Sequence, residues 1–152
     1  MNKYMHAVGL CIGLTAVIIL SAINGWSIAE SEWINGMEKP YLSRGVFSAG
    51  WLFSYILTAV TVGEFAVEKR MRKTLFAPIL FMIFTALWFF AMFRLKSIVV
   101  STVFIALATA AQGVILAITT KRTRFGWTGA LVNLVWYCFM SGLNIILLVM
   151  NS

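Results

Sequence analysis

Aromatic side chains at helical spacing are the residues of this chain whose arrangement could do chemistry. Three segments carry them: Phe47, Trp51 and Tyr55 in the first, Trp88, Met92 and Phe93 in the second, and Trp136, Phe139 and Leu143 in the third. Residues three or four apart share one face of a helix. Broad π-faces with few polar groups suit a flat hydrophobic ligand. The same spacing fits packing between neighbouring helices, and both interpretations stay open on spacing alone.

Conventional catalytic and metal-binding groups are scarce. The chain has no Asp and a single histidine, His6, and its two cysteines, Cys11 and Cys138, lie in apolar runs. These residues supply no paired carboxylates, no Ser-His-Asp set, no glycine-rich phosphate loop and no metal-ligand cluster. We therefore predict no metal site and no conventional catalytic site, and we interpret both thiols as buried apolar groups.

The segments that must position the aromatic residues are long apolar runs. The chain is 61% hydrophobic and 11% charged, whereas about a quarter of the residues of a soluble domain are charged. A membrane-spanning helix needs about 20 apolar residues, and the runs lack the alternation of barrel strands. We predict an all-α integral membrane bundle of five transmembrane helices in a single domain, residues 1–152. The predicted spans are about Ala7–Trp26, Val46–Val67, Leu75–Phe93, Ile98–Thr119 and Gly126–Met150.

Basic residues are distributed unevenly between the two ends of these spans. One end carries Lys3, Lys69, Arg70, Arg72, Lys73, Lys121, Arg122 and Arg124, and the other carries Lys39, Arg44, Arg94 and Lys96. The positive-inside bias predicts a cytoplasmic N-terminus and an external C-terminus, and it suggests a bacterial cell membrane. The basic clusters suit contact with anionic membrane lipids. We therefore attribute the net charge of +7 to the membrane topology and predict no binding of nucleic acid.

Small residues three or four positions apart could bring helices close together. Gly9 and Gly13 form a GxxxG pattern in the first span, and Ala106, Ala110 and Gly113 repeat the small-residue pattern in the fourth. Such faces allow helix backbones to approach one another. We expect them to serve either packing within the bundle or a homodimer.

The ordered set of aromatic and polar residues resembles the translocator protein family, also called tryptophan-rich sensory proteins (TspO/MBR). The matching residues are Trp33, Lys39-Pro40, Val46-Phe47, Trp51, Tyr55, Trp88, Phe93, Trp136, Phe139 and Leu143-Asn144. No single piece is specific, but the ordered set covers most of the chain. Phe81, Thr85 and Val132-Asn133 depart from the family pattern, and the connection after Pro40 is about two residues shorter. The pattern associated with cholesterol recognition is absent after Asn144.

The resemblance implies a pocket that binds a tetrapyrrole, such as protoporphyrin IX or haem, as a ligand and not as a cofactor. The implied ligand-binding residues are Trp33, Lys39, Pro40, Phe47, Trp51, Tyr55, Trp88, Trp136, Phe139, Leu143 and Asn144. Trp51 and Trp136 would flank the macrocycle, and they are the candidates for the light-dependent porphyrin breakdown reported for some family members. Lys39 and Arg44 would meet propionates or lipid headgroups. Sensing, transport and breakdown all stay open as the purpose of binding.

Two other functions compete with this interpretation. Glu64 is the one acid within a span, and intramembrane carboxylates are functional candidates by default. A small proton-coupled transporter could use it, although Glu64 also lies close enough to Glu68 and Lys69 for a structural role at the interface. The polar residues of the spans, among them Thr58 and Thr85, look scattered, which disfavours a transport path. A helper subunit would instead bury its aromatic stripes against other membrane proteins.

Overall fold

The protein is an all-α membrane bundle of five helices. The computed structural model describes residues 9, 13–16, 19, 44–68, 72–119 and 124–152. Four helices have described bounds: α1 is Arg44–Val67, α2 is Phe76–Phe89, α3 is Ile98–Thr119 and α4 is Arg124–Met150. Each of them, with α2 continued by the π-helical turn Phe90–Arg94, provides an apolar stretch of 19 to 25 residues, long enough to cross a membrane. Of the predicted span Ala7–Trp26, residues 9, 13–16 and 19 are described, and they are helical.

The outer surface of the bundle is apolar. Val135 on α4 is 63% exposed, and Leu52 and Phe53 on α1 are more than half exposed. In water, so much continuous apolar surface would drive association. Hydrocarbon tails accept the same surface at no cost, because they are as apolar as these side chains. The protein is therefore an integral membrane protein.

Cys138 belongs to this outer surface. Its thiol is exposed, on the side of α4 that also presents Val135 and Phe139. The expectation that both thiols are buried is wrong for Cys138, because a small apolar thiol is tolerated as readily against lipid as in a core. Cys11 lies outside the described residues.

Consecutive helices run antiparallel, and α4 closes the bundle against α1. Ser101 of α3 bonds to Asn144 of α4, and Thr109, later in α3, bonds to Ser141, earlier in α4. The two helices therefore run antiparallel. Tight connections enforce this order. At the end of α2 a π-helical turn, Phe90–Arg94, leads to Lys96 in the left-handed region at φ 52°. The aromatic residues near the start of α1 and the end of α2 are thereby brought to the same end of the bundle.

Two local signals determine where α2 and α3 begin. Pro78 lies in the first turn of α2, where a missing amide donor costs least. Ser97 precedes α3, and its Oγ accepts a hydrogen bond from the backbone N–H of Val100 at 3.3 Å, which is the geometry of an N-cap. Both positions are stable starting points for a helix.

The glycines of the first predicted span pack against α1. A Cβ on Gly13 would overlap the backbone of Ala59, and a Cβ on Gly9 would lie 2.8 Å from the carbonyl oxygen of Gly63. Within the chain, this GxxxG pattern therefore provides close backbone packing. A Cβ on Gly113 of α3 would meet no described atom within 4 Å. The homodimer remains a prediction.

We predict that Gly13→Ala destabilises the bundle while Gly113→Ala does not. The added methyl at Gly13 meets rigid backbone, and overpacking of this kind costs about 1–3 kcal/mol. At Gly113 the methyl enters open space and gains helix propensity. Thermal unfolding in detergent measures both variants, and equal midpoints would contradict the close packing at Gly13.

Candidate functional site

Trp51 is the centre of a buried aromatic cluster formed by three helices. Its ring is 3% exposed. It stacks on Trp88 of α2, with ring centroids 5.1 Å apart and planes 24° apart. Four more rings touch its edges or faces at 4.8–5.9 Å: Tyr55, Phe89, Trp136 and Tyr137. The aromatic stripes predicted on three segments therefore converge on one residue.

Hydrogen bonds fix the orientation of Trp88. Its indole Nε1 donates to Oδ1 of Asn144 on α4 at 3.1 Å, and Oγ of Ser101 on α3 lies 3.2 Å from the same oxygen. The Asn144 amide nitrogen donates to the carbonyl of Met140 at 3.0 Å. Because Trp88 and Asn144 are both 1% exposed, this bond holds the plane against which Trp51 stacks. Asn144 thus positions Trp88 in the described structure.

Phe89 and Tyr137 are the cluster residues that sequence reasoning missed, and Tyr137 is the one that also carries a polar group. It is 1% exposed, its ring meets Phe81 edge-on at 4.8 Å, and its hydroxyl lies 2.9 Å from Oγ1 of Thr85. In the sequence, Phe81 departs from the family pattern, and Thr85 does so as well as being one of the polar residues that look scattered. The sequence did contain a signal for Tyr137. It lies four residues after Asn133, so the two polar groups share one face of the helix, as residues that face a bundle interior would.

A group of polar contacts joins α1 to α4 about one helical turn away from the Trp51 ring. Ser54 Oγ donates to Oδ1 of Asn133 at 2.6 Å, and the Asn133 amide nitrogen donates to Thr58 Oγ1 at 3.2 Å. All three residues are at most 3% exposed. The view of the intramembrane polar residues as scattered is therefore wrong for this group, because the helix packing gathers residues that are far apart in sequence.

Trp136 lies at the lipid-facing edge of the cluster. A Cβ on Gly50 would overlap its indole ring, so the absence of a side chain at residue 50 makes room for that ring. Trp136 is partly buried, and its ring contacts the 44% exposed ring of Phe139 at 5.7 Å. Trp136 is thus the cluster residue nearest to the membrane between α1 and α4.

Two donors on rings that contact Trp51 lack acceptors. The Trp136 Nε1 and the Tyr55 hydroxyl are both buried, and neither has a hydrogen-bond partner among the described residues. Buried polar groups in proteins almost always find a partner. Two such groups beside one ring are therefore the feature of the cluster that packing does not explain.

The other predicted ligand-binding residues occupy varied positions. Leu143 is partly buried against the aromatic core, whereas Phe139 faces outward. Phe47 lies on α1, but its side chain falls outside the described part of the chain, as do Trp33, Lys39 and Pro40 entirely. The described residues contain no group of three or more side chains that could hold a metal ion.

Comparison with known proteins gives the chain no family. No protein-family model matches the sequence, and no curated protein matches it. The residues of the cluster, and the family resemblance in their order, are therefore what points to a function.

We predict that Asn144→Leu lowers stability far more than Asn151→Leu. The first substitution leaves the buried Trp88 Nε1 without its acceptor, which costs about 1–3 kcal/mol. Asn151 also bonds to a backbone carbonyl of α4, but it is exposed, so it is a matched control. Thermal unfolding in detergent measures the difference, and equal losses would mean that Asn144 does not hold Trp88.

Proposed function

We propose that this membrane protein binds a flat apolar ligand of the tetrapyrrole class at the aromatic cluster around Trp51. The observation that carries the proposal is the convergence of rings from three helices on one indole, beside two buried donors without acceptors. Ordinary packing would account for the rings alone. It leaves the donors at Tyr55 and Trp136 unexplained, and a bound ligand would supply their acceptors.

Access to the cluster would run along Trp136. The rings of Trp51 and Trp136 meet edge to face at 5.9 Å, so a flat ligand must displace this contact. Trp88 is held by Asn144 and would stay in place as the rigid wall. Trp136 has no such bond among the described residues, and it borders the lipid, where an apolar ligand accumulates. Rotation of Trp136 away from Gly50 would open a slot between α1 and α4.

The resemblance to the translocator family supports a tetrapyrrole over other flat molecules. Trp51, Tyr55, Trp88 and Trp136 lie in the family's order, and in the structure Trp51 contacts the other three. A tryptophan against an excited porphyrin would be positioned to donate an electron, so light-dependent breakdown is the reaction we would seek first. Sensing and transport need only the binding itself.

The cellular arrangement is part of the proposal. The charge bias of the connecting segments supports a cytoplasmic N-terminus and an external C-terminus in a cell membrane. The aromatic cluster would then lie in the external half of the bundle, since Trp51 follows the start of α1 and Trp88 precedes the end of α2. Ligand would reach it from the external leaflet.

We predict saturable binding of protoporphyrin IX that weakens in Trp51→Phe and Trp136→Phe. Losing an indole that contacts the ligand removes stacking area worth about 0.5–1.5 kcal/mol, or roughly a twofold to twelvefold rise in Kd. The measurement is a titration of the porphyrin absorption band in detergent. Trp127→Phe is the matched control, because Trp127 is 38% exposed near the start of α4, far along the helix from Trp136.

Two results would contradict the proposal. Non-saturating changes that are identical in all variants would mean that the porphyrin simply partitions into the micelle. Equal weakening in Trp127→Phe would mean that the effect is not specific to the cluster. In either case the aromatic residues would serve packing, and the helper-subunit interpretation would lead.

A second function, proton-coupled transport through Glu64, is favoured by one observation. Ser54, Thr58 and Thr61 are each at most 3% exposed along one side of α1. Glu64 follows one turn later and is partly buried. These residues form a polar line from the aromatic cluster toward the end of α1 that the charge bias makes cytoplasmic.

We predict that, if this line couples protons to ligand movement, Glu64→Gln abolishes ligand-driven acidification of proteoliposomes. Glu68→Gln is the matched control, since Glu68 carries the same group just beyond the helix end. A trapped pH-sensitive dye reports proton movement after protoporphyrin IX is added. Equal signals from wild type and Glu64→Gln would exclude coupling through Glu64.

A further inference from the structure

We infer that the ligand of this cluster carries a neutral carbonyl on its planar ring system, as a quinone or an open-chain tetrapyrrole lactam does. The inference rests on the proposed function, because it describes the ligand of the same site. It adds a chemical requirement that stacking alone does not impose. The requirement comes from Tyr55 and Trp136.

Both unpartnered groups are donors. An indole N–H can only donate a hydrogen bond, and a phenol donates readily. The Tyr55 side chain is 95% buried, being 5% exposed, and its oxygen has no partner among the described residues. A buried donor left unpaired costs about as much as a lost hydrogen bond. The ligand that fits must therefore bring an acceptor into the cluster.

The acceptor should be uncharged. The buried polar side chains in the described part of the chain are all Ser, Thr, Gln or Asn. A carboxylate placed here would be desolvated with no positive partner among the buried residues that the structure describes, which is far costlier than burying a hydrogen-bonded neutral group. A carbonyl accepts from a phenol or an indole without that penalty. Propionates of a cyclic porphyrin would have to stay outside the cluster.

The acceptor should also lie in the plane of the ring system. The rings of Tyr55 and Trp136 flank the same indole, with centroids 5.8 and 5.9 Å from that of Trp51. A ligand in contact with Trp51 would therefore lie next to the two rings that carry the unpartnered donors. A carbonyl oxygen accepts near the plane of its own substituents, so a ring carbonyl would face these donors while the ring faces the tryptophan.

The test compares menadione, a planar quinone, with 2-methylnaphthalene, which has the same carbon frame without carbonyls. Binding is measured by competition against protoporphyrin IX in detergent. We expect menadione to compete about tenfold more strongly, as one or two neutral hydrogen bonds allow. In Tyr55→Phe the preference should fall to about twofold, while 2-methylnaphthalene binds as before.

Tyr137→Phe is the control for the loss of a phenol. The Tyr137 hydroxyl already pairs with Thr85, so its removal should lower stability and leave the preference for menadione intact. Biliverdin dimethyl ester, an uncharged open-chain tetrapyrrole, separates the two sources of the carbonyl. Stronger competition by the ester than by menadione would identify a lactam, and the reverse would identify a quinone.

Equal competition by menadione and 2-methylnaphthalene would overturn the inference, as would an unchanged preference in Tyr55→Phe. Neither result would affect the proposed function, provided that both probes displace a saturably bound porphyrin. Absence of saturable porphyrin binding would have the opposite meaning if a direct titration, followed by quenching of tryptophan fluorescence, showed menadione binding about tenfold more tightly than 2-methylnaphthalene. It would support the carbonyl and overturn the tetrapyrrole.

Discussion

The bundle depends on the hydrogen bonds that α4 makes with its neighbours. Lipid offers helices no hydrophobic reason to associate, so packing and interhelical polar contacts must hold them together. Along α4, Asn133 bonds to α1, Tyr137 contacts Thr85 of α2, and Asn144 bonds to both α2 and α3. These polar residues, roughly one per turn of α4, therefore connect α4 to each of the other three helices with described bounds. Substitutions on this face should disturb the whole bundle, whereas those on its lipid face should be tolerated.

The aromatic cluster divides into a fixed part and an unsatisfied part. Trp88 and Tyr137 are buried and hydrogen-bonded, and they hold Trp51 from the α2 and α4 sides. Tyr55 and Trp136 touch the same ring, but their polar atoms have no partner among the described residues. A purely structural core would have no reason to treat its members so differently. The contrast localises the proposed ligand to the part of the cluster where Tyr55 and Trp136 contact Trp51.

Apolar run length was enough to predict the helices, because membrane thickness fixes how many residues a span needs. Helical spacing also predicted that Trp51 and Tyr55 would share a face. The pairing of distant polar residues was not predictable: Ser54 meets Asn133 only because α1 packs beside α4 at one particular height. The outward rotation of Phe139 depends on that same packing. The residues of the predicted site at Trp33, Lys39 and Pro40 lie outside the described chain and remain predictions.

Fluorine NMR of protein labelled with 5-fluorotryptophan would test ligand binding at this cluster most directly, with resonances assigned by single Trp→Phe variants. Each of the six tryptophans would then report on its own surroundings as protoporphyrin IX is added. We expect saturable shifts for Trp51 and Trp136, a smaller shift for the anchored Trp88, and none for Trp127. Shifts that grow together at all positions without saturation would contradict a binding site at the cluster.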